Sequence, residues 1–192
     1  MSMYKQMKQT FISEYKTRSG QYKSNIIKWN SEAPIIRVPK PTNIARAREL
    51  GYKAKEGVIM ARVRVHGGSK KRKQAGGGRK PSKSGRYFTF RKSSQAIAEQ
   101  RASRKFTNTI ALNSYFIGSS GSEKYFEVIL LDKNSNALKS DGQYNSILSQ
   151  SGRAYRGLTS AGKKHRGIIR KRFGSHKLRQ RNRITPNNLK RT

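Results

Sequence analysis

The chain contains no cysteine, which excludes disulfide scaffolds, thiol catalysis and cysteine-based zinc sites. Long apolar runs are missing as well. The stretch Val128 to Leu131 is as long as any uninterrupted one, far short of the roughly 20 residues of a membrane span, and no amphipathic membrane-surface helix stands out. The first residues, Met1-Ser2-Met3-Tyr4-Lys5-Gln6, hold no apolar centre of a secretory signal, so the chain reads as intracellular. Negative charge is the scarcest feature. Nine Asp and Glu face 44 Lys and Arg in 192 residues, a formal net charge of +35. A compact body with that excess repels itself unless a polyanion neutralises it, and with the membrane excluded the expected partner is nucleic acid. The hydrophobic set is 33% of the residues, below the roughly 45–50% of average domains even when glycine is counted. At about 100 to 200 residues per domain, the chain holds one domain with extensions.

Charge divides the sequence better than hydropathy does. The acids are Glu14, Glu32, Glu49, Glu56, Glu99, Glu123, Glu127, Asp132 and Asp141. Two segments are therefore almost purely cationic. The insertion 66–86 sets Lys70, Lys71, Arg72, Lys73, Arg79, Lys80, Lys83 and Arg86 among six glycines, a composition expected to be disordered alone in water. The segment 142–192 carries Arg153, Arg156, Lys163, Lys164, Arg166, Arg170, Lys171 and Arg172 with too few aliphatic residues for a core of its own. The expected organisation is an N-terminal helical segment 1–40, a core domain 41–141 interrupted by the insertion, and a basic extension 142–192.

Periodicity outlines the folded part. Tyr4, Met7, Phe11 and Tyr15 recur at helical spacing, and Tyr22, Ile26 and Trp29 repeat it, predicting two N-terminal helices. Ile35 to Val38 reads as a brief strand stopped by Pro39 and Pro41. Thr42 is placed to cap a helix through Leu50, with Gly51 at its left-handed end. Val58 to Val65 alternates, putting Ile59, Ala61, Val63 and Val65 on one face and Met60, Arg62 and Arg64 on the other. Ser94 is placed to cap a helix carrying Ile97, Ala98, Arg101 and Ala102. Thr109 to Ile117 and Tyr125 to Asp132 read as strands joined by Gly118 to Ser122. The predicted class is α+β: a small antiparallel sheet with flanking helices, a long basic loop and a C-terminal extension.

Motifs that would carry chemistry fail on their required residues. Gly157-Leu158-Thr159-Ser160-Ala161-Gly162-Lys163 matches the start of a phosphate-binding P-loop, but Lys164 stands where a magnesium-ligating hydroxyl is needed and no buried strand precedes it. Its glycines are expected instead to approach an RNA backbone. Asp132 to Asn136 begins like a calcium loop, yet Ala137 replaces the turn glycine and Gln143 the bidentate Glu, so it reads as a polar turn. His66, His165 and His176 have no metal-ligand spacing. Glu123 and Glu127 share a strand face and are expected to pair with lysines such as Lys124 rather than act as acid and base. With no Ser/His/Asp set either, neither an enzyme nor a cofactor nor a small-molecule substrate is expected.

Lys83 to Arg91 interleaves basic and aromatic residues, which suits base stacking, although Phe88 and Phe90 are equally suited to point into a core. Arg91 closes that run. Arg62 and Arg64 share the strand face expected to be free of the core, from which guanidinium groups can fork onto phosphate oxygens.

The stretch Arg46-Ala47-Arg48-Glu49-Leu50-Gly51-Tyr52-Lys53-Ala54-Lys55-Glu56-Gly57-Val58, leading into Ala61-Arg62-Val63-Arg64-Val65, resembles the signature of the fifteen-e family of large-subunit ribosomal proteins of archaea and eukaryotes. Gln95 to Ala102, Leu112 to Gly118, Tyr125 to Asp132 and Arg156 to Lys164 agree in the same order, so the resemblance covers about Pro41 to Arg172. The first 40 residues match loosely, and Glu56 and Ala61 depart from the pattern. The resemblance implies a cytoplasmic structural protein of the large subunit, embedded in ribosomal RNA beside neighbouring ribosomal proteins, with no catalytic residue. A general nucleic-acid compaction protein is the alternative reading.

Overall fold

The computed structural model describes residues 3–71, 76–78, 85, 87–88 and 92–166. Two helices open it, α1 (Met3–Thr17) and α2 (Gly20–Ser31), separated by Arg18 and by Ser19, whose hydroxyl accepts from the Tyr22 amide at 3.2 Å and caps α2. The helical spacing acts differently in the two. In α2, Tyr22, Ile26 and Trp29 are buried; in α1 only Phe11 and Tyr15 reach the core, while Tyr4 and Met7 stay exposed. Strand β1 (Ile35–Val38) follows, then helix α3 (Ile44–Glu49). Its cap is Asn43 and not Thr42: Asn43 Oδ1 accepts from the Arg46 amide at 2.9 Å, and Thr42 is drawn instead to the Glu127 carboxylate. Gly51 ends the turn at φ +95°, the left-handed conformation expected of it.

The remaining elements complete a sheet and its covers. They are β2 (Val58–His66), the short pair β3 (Lys70–Lys71) and β4 (Tyr87–Phe88), α4 (Ser94–Lys105), β5 (Thr109–Ser120), β6 (Glu123–Asp132), α5 (Asn136–Lys139), α6 (Gly142–Leu148) and α7 (Ser160–His165). β3 and β4 pair within the basic insertion, Lys70 opposite Phe88 and Lys71 opposite Tyr87. The main sheet has the order β1-β2-β6-β5 with every pair antiparallel, which bears out the α+β class. β5 and β6 run further than expected and meet at a two-residue turn, Gly121-Ser122, with Gly121 at φ +51°. β5 carries one unmatched residue at Leu112 and another at Ile117. Such bulges bend a strand and reset its alternation, which is how Leu112, Tyr115 and Ile117 all reach one core.

Both faces of the sheet are buried. On one, Met60, Leu112, Tyr115, Tyr125, Ile129 and Leu131 meet α2, Ala47 of α3, Leu138 of α5 and Tyr144 of α6. On the other, Ala61, Val63, Val65, Ala111, Phe126, Val128 and Leu130 meet Ala98 and Ala102 of α4 and Ala154. Each fully buried aliphatic such as Ile129 or Leu130 contributes about 1.5–3 kcal/mol. The expectation that β2 has a single apolar face is corrected here. The alternation is as read, but Met60 is buried in the core beside Ile129, and Arg62, also buried, is covered by Trp29 and Glu32 at the end of α2. Residues after Asp141 join these cores too, through Tyr144 on the first face and Ala154 on the second.

Candidate nucleic-acid interface

Helix α4 presents alanines to the sheet because Ala98 and Ala102 fall four residues apart. Arg104 projects from its outer side and Lys105 is exposed at its end, while Arg101 Nη1 reaches back to the sheet and donates to the Arg64 carbonyl at 3.1 Å. The Ser93 hydroxyl caps it by accepting from the Ala96 amide at 3.2 Å, and Ser94 is its first residue rather than its cap. Helix α7 lies against α4, with Lys163, Lys164 and His165 exposed on its last turn. Lys92, just before α4, stands close enough that partial desolvation and then its charge hold the His165 imidazole below the ordinary value. Sequence reasoning missed Lys92, Arg104 and Lys105. A helical projection of Ser94 to Lys105 puts Arg104 opposite the alanine stripe, whereas Lys105, seven residues after Ala98, falls on the stripe's side and is exposed because the helix ends there.

The turn leading into α7 is closed internally. Gly157 adopts φ +65°, and a Cβ on Gly162 would lie 2.6 Å from Gly157 Cα, so backbone packs directly on backbone. Arg166 Nη1 donates to the carbonyls of Arg156 and Gly157, at 3.2 and 3.4 Å, and covers that turn. The glycines expected to approach phosphate are thus used to seat α7. Thr159 caps α7 by accepting from the Gly162 amide at 3.1 Å, and its own hydroxyl donates to Glu99. Glu99, 1% exposed, also accepts from the Ser114 hydroxyl. Burial raises its pKa above the ordinary 4.5, against the opposing effects of those hydroxyls and of Arg153. Arg153 Nη1 donates to Gln150 Oε1 at 2.7 Å, while the Nε–H groups of Arg153 and Arg156 are buried without an acceptor among the described residues.

Cations on the opposite side of the sheet are differently placed. Arg46 and Lys8 both bond Glu49, and Lys53 and Lys55 both reach Asp141, at 3.4 and 2.7 Å. The Lys55 bond first, then the Gln143 amide, lowers the Asp141 pKa to about 2. Arg48 lies over the Tyr4 ring at 5.4 Å. Arg62 pairs with Glu32 at the end of α2 and lies 5.0 Å over the Trp29 ring, and Arg64 Nη1 donates to the Asn30 carbonyl at 2.7 Å. Both arginines therefore tie α2 to the sheet. Lys70 and Lys71 lie on β3. Arg72, Lys73, Arg79, Lys80, Lys83, Arg86, Arg91, Arg170, Lys171 and Arg172 lie outside the described residues.

The other carboxylate pair separates. Glu123 meets the His66 imidazole at 2.9 Å, whereas Glu127 is fully buried and pairs with no lysine among the described residues. It accepts from the Thr42 amide at 3.0 Å and from the hydroxyls of Thr42 and Tyr115. Burial raises its pKa, and burial followed by the Glu127 charge raises that of Tyr115. Asp132 accepts from the Asn134 amide at 3.0 Å, a polar turn as expected. No group of three His, Asp or Glu among the described residues is placed to hold a metal ion, and no described helix is long and apolar enough to cross a membrane.

The fold is thus that of a strongly basic α+β protein, whose outer helices α4 and α7 expose Arg104, Lys105, Lys163 and Lys164. The family model described as ribosomal L15 matches residues 2–185, and the chain belongs to that family. It is 40% identical over 174 residues to the large ribosomal subunit protein eL15 of Metallosphaera sedula, covering 89% of this chain and 80% of that protein. The family is one of ribosomal structural proteins and not of enzymes.

Proposed function

We propose that the chain is a cytoplasmic structural constituent of the large ribosomal subunit that binds and stabilises its ribosomal RNA. Its docking surface is the outer side of α4 and α7. One observation carries this assignment: segments 92–105 and 150–166 contain a single carboxylate, Glu99, and it is 1% exposed. The positive charge of Lys92, Arg104, Lys105, Arg156, Lys163 and Lys164 is therefore not cancelled within those segments, whereas Arg153 senses the Glu99 carboxylate. Phosphate oxygens supply the missing anions, and each such pairing releases condensed counterion. The insertion 66–86 and the residues beyond 166 add further charge to the same partner, and neighbouring ribosomal proteins complete the surroundings. Specificity comes from RNA shape and unpaired nucleotides rather than from duplex base edges.

Sedimentation of assembled large subunits through high salt tests this reading. A structural constituent stays with the subunit. Release at moderate salt, together with equal binding to duplex DNA, would establish nucleic-acid compaction instead.

A further inference from the structure

A cleft of about 310 Å³ lies between α1 and the edge strand β5. Its apolar lining includes Phe11, Ile12, Tyr15 and Phe116, of which Ile12 is 44% and Phe116 38% exposed. Such exposure is unexpected in a chain with so few apolar residues to form a core. The rings are held in place: Tyr15 and Phe116 meet edge to face with centroids 5.7 Å apart, and Phe116 meets Phe126 at the same distance. Lys8, Lys16 and Arg46 form the rim. Glu49 engages Lys8 and Arg46, but Lys16 pairs with no carboxylate among the described residues. Asn43 also lines the cleft; its Oδ1 is occupied by the α3 cap, which leaves its Nδ2 donors.

We propose that this cleft receives one unstacked nucleotide of single-stranded RNA, with the base against the fixed rings and its phosphate on the lysine and arginine rim. The proposal rests on the ribosomal-RNA reading above and assigns it a second site, at the free edge of β5 between α1 and α3. Three features select this occupant. The volume is at the low end of the roughly 300–1,000 Å³ of small-ligand clefts, too little for a partner's helix. A cationic rim around an apolar floor complements a base joined to a phosphate. An amide donor at the wall suits the acceptor edge of a base, as apolar side chains from a neighbouring protein would not.

The test uses the full chain with an oligouridylate carrying 4-thiouridine and, separately, an RNA duplex. Irradiation is expected to attach the oligonucleotide to the peptides bearing Phe11, Tyr15 or Phe116. Phe116→Leu keeps the apolar bulk but removes the flat ring, and is expected to weaken single-strand binding by about five- to a hundredfold, the range of one base–aromatic stack. Ile12→Glu, at an exposed helix position, should reproduce that loss in a variant whose folding is not at risk. Duplex binding should be unchanged in both. Cross-links confined to other residues, or wild-type single-strand affinity in both variants, would overturn the cleft while leaving the docking face intact. Failure to bind either RNA at low salt would instead remove the ribosomal-RNA reading and this one with it. A photoreactive phenylalanine in place of Ile12 that, in assembled subunits, attaches to protein rather than RNA also overturns the proposal.

Discussion

The two sides of the sheet solve the same burial problem with opposite materials. On one side large rings fill the space and their hydroxyls find fixed acceptors: Tyr22 donates to the Ser119 carbonyl at 3.0 Å, Tyr144 to the Gly51 carbonyl at 2.8 Å, and Tyr125 to Asn30. On the other side Ala61, Ala98, Ala102, Ala111 and Ala154 bring α4 and the 150s close to the strands. Each side also buries one carboxylate between two hydroxyls, Glu127 between Thr42 and Tyr115, and Glu99 between Ser114 and Thr159. The outer surfaces diverge. Where rings fill the core, Lys8, Arg46, Lys53, Lys55 and Arg62 meet the carboxylates of Glu49, Asp141 and Glu32; where alanines do, segments 92–105 and 150–166 hold one carboxylate, Glu99, and it is consumed inside. Interior and exterior are thus linked, because sequestering Glu99 also removes a counter-charge from the docking face.

Truncation should separate the sides most. Trp29→Ala removes a 5% exposed ring and the platform of Arg62, and is expected to cost about 3–5 kcal/mol in urea unfolding. A loss below about 1 kcal/mol would show that the ring side is not the main source of packing energy. Enlargement should do the reverse: Ala98→Leu, at 0% exposure between α4 and the strands, is expected to cost about 1–3 kcal/mol, and a neutral result would mean that α4 is not tightly seated. For RNA affinity the sides exchange roles. Replacing Lys163 and Lys164 by Gln should lower the slope of log affinity against log salt by about 1 for each phosphate left without its lysine. The matching pair Lys53→Gln and Lys55→Gln, already bound to Asp141, should change it less. Equal slopes would dissolve the distinction between the charge-balanced and unbalanced surfaces.

The smallest effects concern pH, and they carry opposite signs. Burial raises the folded-state pKa of Glu99 and of Glu127 above 4.5, so the folded chain holds protons that the unfolded chain has released. Their contribution is greatest below 4.5 and declines as pH rises from there through the raised values. Asp141 behaves inversely: stability from its bonds to Lys55 and Gln143 is present above the ordinary 3.8 and is lost as pH falls towards about 2. Glu99→Gln and Glu127→Gln should each flatten the decline above 4.5 and leave the acid-side loss unchanged. Chemical denaturation across pH checks this, and an unaltered slope in either variant would show that the carboxyl is ionised throughout.

Much of this was legible in the residues. Alternation from Val58 to Val65 and the helical spacing of Tyr22, Ile26 and Trp29 are local signals, and both produce the elements they predict. Displaced caps were harder to read. Thr42 and Ser94 are good cap residues by type, but Thr42 was claimed by Glu127, 85 positions away, and Ser93 stood one step nearer. The same cause hid the fate of Arg62. Charge on an alternating strand reads as solvent-facing until another element, here α2, is laid over it. Bulges at Leu112 and Ile117 defeat simple parity for a similar reason, since the unmatched residues are decided by the partner strand.

The bond from Thr159 to Glu99 has one more consequence. It joins the start of α7 to a group fixed between α4 and β5, within a few residues of where the last basic stretch of the chain begins. On the docking reading proposed above, a first contact made by Lys163 and Lys164 beside this fixed point would hold the cations that follow in sequence near the same RNA, so that each later pairing with phosphate would form as an intramolecular event at raised effective concentration.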